Sequence, residues 1–362
     1  MFYHLLYPLK DLYPAFNVFR YITFRAAGAS VTAFLVCLVL GPRVIRWLKQ
    51  MSALAHTERE HAPSIHAFFA HKKNVPTMGG ILIVASLVLS MLLWGNWSVA
   101  SIWILVGVVL WFGTVGFLDD WNKLRHKSSK GISSFMKLSG QLVAGIALGL
   151  WLYLDPGFDK LIYIPFFKNV YLYLGALFIP FVVLVLVGTS NALNLTDGLD
   201  GLAIGCLLFV AGAFAVLCYV VGRVDYATYL QMAYVPGAGE LAVFCAALVG
   251  ASAGFLWYNS YPAEVMMGDT GSLSLGGALG AVAVLTRKEL VLLIIGGIFV
   301  WEALSVILQV ASFKLFKKRI FLMSPFHHHL QLRGWPESKV TVRLWIISFL
   351  LALAGLSTLK LR

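Results

Sequence analysis

Ten apolar runs, most of them close to the roughly 20 residues an α-helix needs to cross a bilayer, dominate the 362-residue chain. They occupy residues 22–41, 78–94, 99–118, 134–154, 170–189, 201–221, 240–258, 270–286, 290–311 and 341–359. Backbone N–H and C=O groups find no water inside hydrocarbon, so runs of this length are expected to be helices. The expected fold is all-α: a polytopic integral membrane protein with about ten transmembrane helices. A hydrophobic content of 60%, a charged content of 12% and a mean hydropathy of +0.83 exclude a soluble globular domain. The second and eighth runs are short or glycine-rich, and the first carries Arg25.

An even number of spans puts both termini on one side, and loop charge selects the side, because cytoplasmic loops carry the excess of Lys and Arg. Arg43, Arg46, Lys49, Arg59, Lys72 and Lys73 follow the first run. Lys123, Arg125, Lys127, Lys130 and Lys137 follow the third, and Lys314, Lys317, Lys318, Arg319, Arg333, Lys339 and Arg343 surround the ninth loop. These loops are expected to face the cytoplasm and both termini the periplasm. With no fixed-period repeat, low-complexity tract or soluble insert, residues 1–362 read as a single transmembrane domain. Its cytoplasmic loops fall at about 42–77, 119–133, 190–200, 259–269 and 312–340. The stretch before Tyr21 lacks the charged start, apolar core and small-residue site of a cleavable signal, and reads as an interfacial lead-in. Cys37, Cys206, Cys218 and Cys245 lie within apolar runs and read as small core residues. The net charge of +12 suits both adhesion to anionic membrane lipids and attraction of an anionic substrate. Trp and Tyr cluster near span ends, as interfacial belts do, so no nucleic-acid partner is expected.

Five of the sixteen acidic residues stand in three short stretches, each at the end of an apolar run: Asp119-Asp120, Asp197 with Asp200, and Asp269. The third, fifth and seventh runs all head toward the same basic side, which predicts one site on the cytoplasmic face. Carboxylates near lipid are costly without partners. Asp119 and Asp120 read either as a solvated helix end or as a pair compensated by a cation or a nearby Lys. Adjacent helical residues point about 100° apart, so the two are expected to differ in role. In Asn194-Leu195-Thr196-Asp197-Gly198-Leu199-Asp200-Gly201, a capped turn competes with a set of oxygen and amide groups suited to a hard cation or a nucleotide. Gly268-Asp269-Thr270-Gly271-Ser272 opens the eighth run, where free helix amides and glycine suit a phosphate. Asp269 beside that phosphate would need a divalent cation between them, and Mg²⁺ is usually held by one or two carboxylates plus phosphates.

His327-His328-His329 invites a zinc reading, yet neighbouring side chains diverge and cannot easily meet on one ion. A solvated loop run and a contact to phosphate or sugar are the alternatives. Glu302 falls in the middle of the ninth run, and reads either as a functional group or as a buried carboxyl hydrogen-bonded to Ser305.

GFLDD (116–120), NALNLTDGLDG (191–201), NSYPAEVMMGDTGS (259–272) and SPFHHHLQLRGWPESKV (324–340) together resemble the polyprenyl-phosphate phosphosugar transferases of bacterial envelopes. PTMGG (76–80) and the triple-His loop resemble the branch that handles phospho-N-acetylmuramoyl-pentapeptide. The resemblance runs from about residue 20 to the C-terminus, with the motifs in order; Thr270 stands where an apolar residue is more usual. It implies an Mg²⁺-dependent enzyme of the bacterial inner membrane. UDP-N-acetylmuramoyl-pentapeptide would donate its phosphosugar to undecaprenyl phosphate, releasing UMP and forming the first lipid-linked peptidoglycan precursor. It also implies Asp269 as the metal ligand with Asp119 and Asp120 as catalytic partners. Lys72, Thr77, Asn194, Asp197, Gly198, Asp200 and Asn259 would meet the nucleoside, and His327, His328 and His329 the sugar and phosphates. The resemblance allows a homodimer. The rival readings are a sister transferase for another UDP-N-acetylhexosamine and a secondary transporter or flippase.

Overall fold

The structure, a computed structural model, describes residues 1–51, 74–126, 131–167 and 170–360. It is an all-α polytopic membrane protein. The main helices are α1 (Ile22–Gln50), α2 (Gly80–Trp94), α3 (Ala100–Arg125), α4 (Ser134–Leu154), α5 (Phe178–Thr196) and α6 (Leu202–Val221). They continue as α7 (Ala238–Asn259), α8 (Gly268–Leu285), α9 (Glu289–Ile295), α10 (Gly297–Phe316), α11 (Phe326–Leu332) and α12 (Glu337–Ser357). Among the described residues, eight helices are long and apolar enough to cross a membrane. Two further runs also form helices: α2 is only 15 residues long, and α8 is 18 residues rich in Gly and Ser.

Helix α8 is the axis of the bundle. Every residue from Thr270 to Leu285 is buried, with α3 and α5 as its main neighbours and α2 beside them. Small residues let the backbones meet, the usual device of helix packing in membranes. A Cβ added at Gly80 would stand 2.4 Å from the Gly271 Cα, and one at Gly116 would stand 2.5 Å from the Asp269 carbonyl carbon. The buried hydroxyls on this interface reach carbonyls of neighbouring helices. Ser274 Oγ donates to Val109 O at 2.7 Å, and Ser190 Oγ donates to Leu273 O at 3.3 Å. A low mean hydropathy is therefore compatible with a central position, since α8 has almost no lipid to face.

Helix α7 forms a second buried axis against α1 and α6. Arg25, out of place in an apolar run, has its partner here. Its guanidinium reaches Glu240 Oε2 at 2.7 Å and pairs with Oε1 as well, and it also donates to Trp94 O at 3.3 Å. Asn96 N donates to the same carboxylate at 3.0 Å. One bidentate pair thus joins α1, α7 and the end of α2. All four cysteines are free and buried.

Three boundaries differ from the hydropathy reading, for physical reasons. The fifth run was expected at 170–189, but Tyr171–Tyr173 pairs antiparallel with Leu161–Tyr163, and α5 begins at Phe178 and runs to Thr196. Aromatic residues raise hydropathy and equally favour a strand. The ninth run is not continuous: it breaks at Gly296 between α9 and α10. The third run does not end at Leu118. Helix α3 continues to Arg125, so Asp119 and Asp120 sit inside a helix, with Lys123 one turn further on.

Breaking a buried ion pair costs about 3–5 kcal/mol because one charge is left behind, whereas apolar replacement of both partners is often near neutral. Arg25→Met and Glu240→Leu are each expected to lower the thermal unfolding midpoint in detergent sharply. The double variant should recover most of the loss; a double variant as unstable as the singles would show that the pair is not the source.

Candidate functional site

The last turns of α3 and α5 and the first turn of α8 meet at one end of the bundle. The contact is dictated by Gly116 and by Gly268, whose φ of +73° is a left-handed conformation that side chains disfavour. A Cβ at Gly268 would also press on Asp120 Oδ2 at 2.7 Å and on Thr77 Oγ1 at 3.0 Å. The PTMGG segment lies along the chain that precedes α8. Met266 N donates to Pro76 O, Gly79 N to Met266 O and Gly80 N to Met267 O, each at 2.8 Å. Thr77 is thereby held against the first residue of α8.

Asp119, Asp120 and Asp269 each offer one carboxylate oxygen, all within 4.8 Å of one another, a donor set able to hold a metal ion. Lys123 places a cation among them. Its Nζ stands 2.6 Å from Asp119 Oδ2, 3.1 Å from Asp269 Oδ2 and 3.6 Å from Asp120 Oδ1. Lys137, from the first turn of α4, adds a second contact to Asp269 Oδ2 at 2.7 Å. Neither lysine was singled out from the sequence as a site residue. Lys123 had a signal in its spacing, four residues after Asp119 on one helix face. Lys137 had none beyond its sign.

The two adjacent aspartates do different work. Asp120 accepts from Asp269 N at 3.2 Å, from Thr270 N at 2.9 Å and from Thr270 Oγ1 at 2.8 Å. It is the anion at the mouth of α8, where the sequence suggested a phosphate, and a negative charge there is favoured by the helix dipole. Thr270, the residue at which the chain departs from its resemblance, supplies two of these three bonds, one of them from its side chain. Asp119 is less tied. Its Oδ1 accepts from Ile132 N at 3.0 Å, and its Oδ2 faces Lys123. Asp269 is the most accessible of the three, with its side chain 15% exposed. Its Oδ1 accepts from Asn194 Nδ2 at 2.8 Å, and the same amide also lies 2.7 Å from Ser272 Oγ. Asn194 therefore belongs with the carboxylates.

Further along the turn, several predicted site residues act as braces. Asp200 is buried, accepts from Ala263 N at 3.0 Å, and its own N–H donates to Glu337 Oε1 at 2.7 Å. Asn259 is also buried, with Oδ1 accepting from Gly201 N at 3.1 Å and Nδ2 donating to Val265 O at 2.8 Å. Asp197 is the part-exposed member of this turn. Lys72 lies outside the described residues.

The three histidines are buried rather than solvated, on the short helix α11. They diverge, as adjacent side chains should. His327 Nδ1 stands 3.2 Å from Glu302 Oε2, His328 Nδ1 meets Gln331 Oε1 at 2.9 Å, and His329 Nδ1 accepts from Leu322 N at 3.1 Å. Burial, helped by Arg333, pushes His329 below the ordinary histidine range, which keeps that nitrogen free to accept. Ser305 Oγ bonds the backbone carbonyl of Glu302, not its carboxylate as expected.

Replacing Thr270 by Val removes one hydrogen bond to a buried carboxylate and should cost about 1.5–3 kcal/mol of stability. Thr270→Ser should retain it. Asp120→Asn should be worse than either, because the charge is lost and, whichever way the amide turns, its NH₂ would face one of the two backbone donors. Chemical denaturation in detergent ranks the three; an unchanged Asp120→Asn would remove the capping role.

Residues 102–287 match the family model described as Glycosyl transferase family 4. Over their full lengths, the chain is 52% identical to a phospho-N-acetylmuramoyl-pentapeptide-transferase of Citrifermentans bemidjiense and 52% identical to one of Geobacter sp. strain M21. A protein of the same name from Desulfotalea psychrophila is 50% identical, again with both chains covered end to end. An acidic cluster at the end of a membrane helix bundle and full-length likeness to these transferases lead to one assignment: the chain belongs to the glycosyl transferase family 4, among its phospho-N-acetylmuramoyl-pentapeptide transferases.

Proposed function

We propose that this protein transfers phospho-N-acetylmuramoyl-pentapeptide from its UDP carrier to undecaprenyl phosphate, releasing UMP and forming the first lipid-linked peptidoglycan precursor in the bacterial inner membrane. One observation carries the reading: the cluster of Asp119, Asp269, Lys123 and Lys137 is bonded through Asn194 to the end of α5, and the same helix lines an apolar groove with exposed leucines on its rim. The groove has a volume of about 290 Å³ and runs between α5 and α10, from Phe181 to Ala192 along α5. Leu184, Leu293 and Leu304, on its rim, are exposed. The groove reaches Ala192 near the end of α5 at which Asn194 bonds Asp269. A polyprenyl chain in the groove would bring its phosphate to the carboxylates and lysines.

The donor set fits Mg²⁺. Asp269 would hold the ion with Asp119 beside it, since Asp120 is engaged by the amides of α8. When bound, Mg²⁺ supplies charge neutralisation for the diphosphate. Lys123 and Lys137 already show that the pocket accepts positive charge at Asp269, and both can turn to phosphate oxygens. A phosphate monoester has its second pKa near roughly 6, so the lipid phosphate is mostly dianionic at neutral pH and needs little base. Direct in-line attack on the sugar-linked phosphate follows, with positioning and charge neutralisation as the main catalytic terms. Asp119 takes any residual proton. Asp197, part-exposed at the end of α5, would face the nucleotide donor. The single membrane domain has both termini in the periplasm and this site on the cytoplasmic face. A homodimer is compatible with this arrangement.

Purified protein in detergent should release UMP from UDP-N-acetylmuramoyl-pentapeptide only when undecaprenyl phosphate and Mg²⁺ are both present. Asp269→Asn should lower kcat by at least about 100-fold, the scale of losing a major charge-stabilising group, with an unchanged unfolding midpoint. Full activity in that variant or in excess chelator would remove the metal assignment; release of UMP from UDP-N-acetylglucosamine instead would assign the sister reaction. Orientation is testable separately. A cysteine at His126 should react with an impermeant maleimide only from the cytoplasmic side, and one at Lys360 only from the opposite side; the reverse pattern would invert the topology.

A further inference from the structure

Glu302 has no exposed surface and sits inside α10, away from the carboxylate cluster. A carboxyl group in that setting is costly unless something holds it. Its Oε2 makes two contacts with one residue: His327 N donates to it at 3.4 Å, and His327 Nδ1 stands 3.2 Å away. The imidazole is itself fully buried, and its other edge faces Gly198. A Cβ at Gly198 would stand 2.8 Å from Cε1 and closer still to Nε2. Gly198 has no left-handed φ, so the requirement there is for space beside the ring. Gly198 lies between Asp197 and the braced Asp200. A contact chain thus leads from the membrane helix α10, through one imidazole, to the turn that follows α5.

We propose that Glu302 is a positioning residue: it fixes the His327 ring as a strut under Gly198 and so sets the turn that presents Asp197 to the nucleotide donor. This rests on the proposed donor-side role of that turn. His327 has no surface from which to touch substrate in this arrangement, so its contribution is made through Gly198. What the strut needs from residue 302 is an acceptor oxygen at the place of Oε2. Oε1 makes no hydrogen bond, which leaves room for an amide nitrogen there. Glutamine should therefore replace glutamate, and alanine should not.

The test uses the full-length protein with UDP-N-acetylmuramoyl-pentapeptide as probe, read by calorimetry for Kd and by UMP release for KM and kcat. Glu302→Ala should raise both Kd and KM for the donor by about 10-fold or more, the scale of losing a hydrogen bond to a charged group. The Mg²⁺ concentration for half-maximal rate should stay unchanged, and Glu302→Gln should remain within about 3-fold of the parent. If Glu302→Ala fails to fold, Glu302→Asp, which withdraws the oxygen by one methylene, should show the same donor-specific loss. Unchanged donor affinity in Glu302→Ala or Glu302→Asp would overturn the proposal, as would a fall in kcat alone. A Glu302→Gln variant as impaired as Glu302→Ala would also overturn it, since charge would then matter and not position. Absence of UMP release by the parent protein, with donor binding intact and variant-sensitive, would sink the transferase reading while leaving the strut in place.

Discussion

The carboxylate of Asp120 at the mouth of α8 is the interaction on which the site depends. Helix α8 is buried from Thr270 onward, so the unpaired amides of its first turn have little access to water or headgroups. Asp120 answers two of them and gains the Thr270 hydroxyl as well. That bond fixes the end of α3 against the start of α8, and the positions of Asp119, Lys123 and Asp269 follow from it. A net negative cluster at this depth would be untenable alone; Lys123 and Lys137 make it a near-balanced one.

Much of the plan was legible from residue type and spacing. Nearly all of the apolar runs became helices, because hydrocarbon leaves the backbone no alternative. The meeting of the Asp119-Asp120, Asn194 and Asp269 stretches also followed from counting spans and signs of charge. Other features depend on partners distant in sequence. Arg25 looked like a flaw in the first span until Glu240, 215 residues away, supplied its counter-charge. Asp120 and Asp119 are indistinguishable in sequence, and only the arrival of α8 separates cap from ligand. Asp200 and Asn259 resemble binding residues by type, yet their polar atoms are used to tie the turn after α5 to the chain before α8. The hairpin at Leu161–Tyr173 was missed because a hydropathy window cannot tell exposed tyrosines in a strand from the start of a helix.

The triple-histidine segment illustrates why a motif and its geometry are different kinds of information. Three adjacent imidazoles could not share an ion, and in the structure they share almost nothing: one meets a carboxylate, one an amide, one a backbone N–H. Their common property is burial. The run pins a seven-residue helix, too short to hold itself in isolation, against α10 and the turn at Gly198.

The break at Gly296 has a consequence for how two unlike substrates reach one cluster. Because α9 and α10 are separate segments, the wall opposite α5 carries the exposed rim of Leu293 and Leu304, and the groove opens sideways. An acceptor diffusing within the bilayer plane would slide in laterally without lifting its chain out of lipid, while a nucleotide would arrive along the bilayer normal from the aqueous side. On that reading the two routes would not cross. Neither substrate would have to leave before the other could bind, so the helix break would separate traffic in two dimensions from traffic in three.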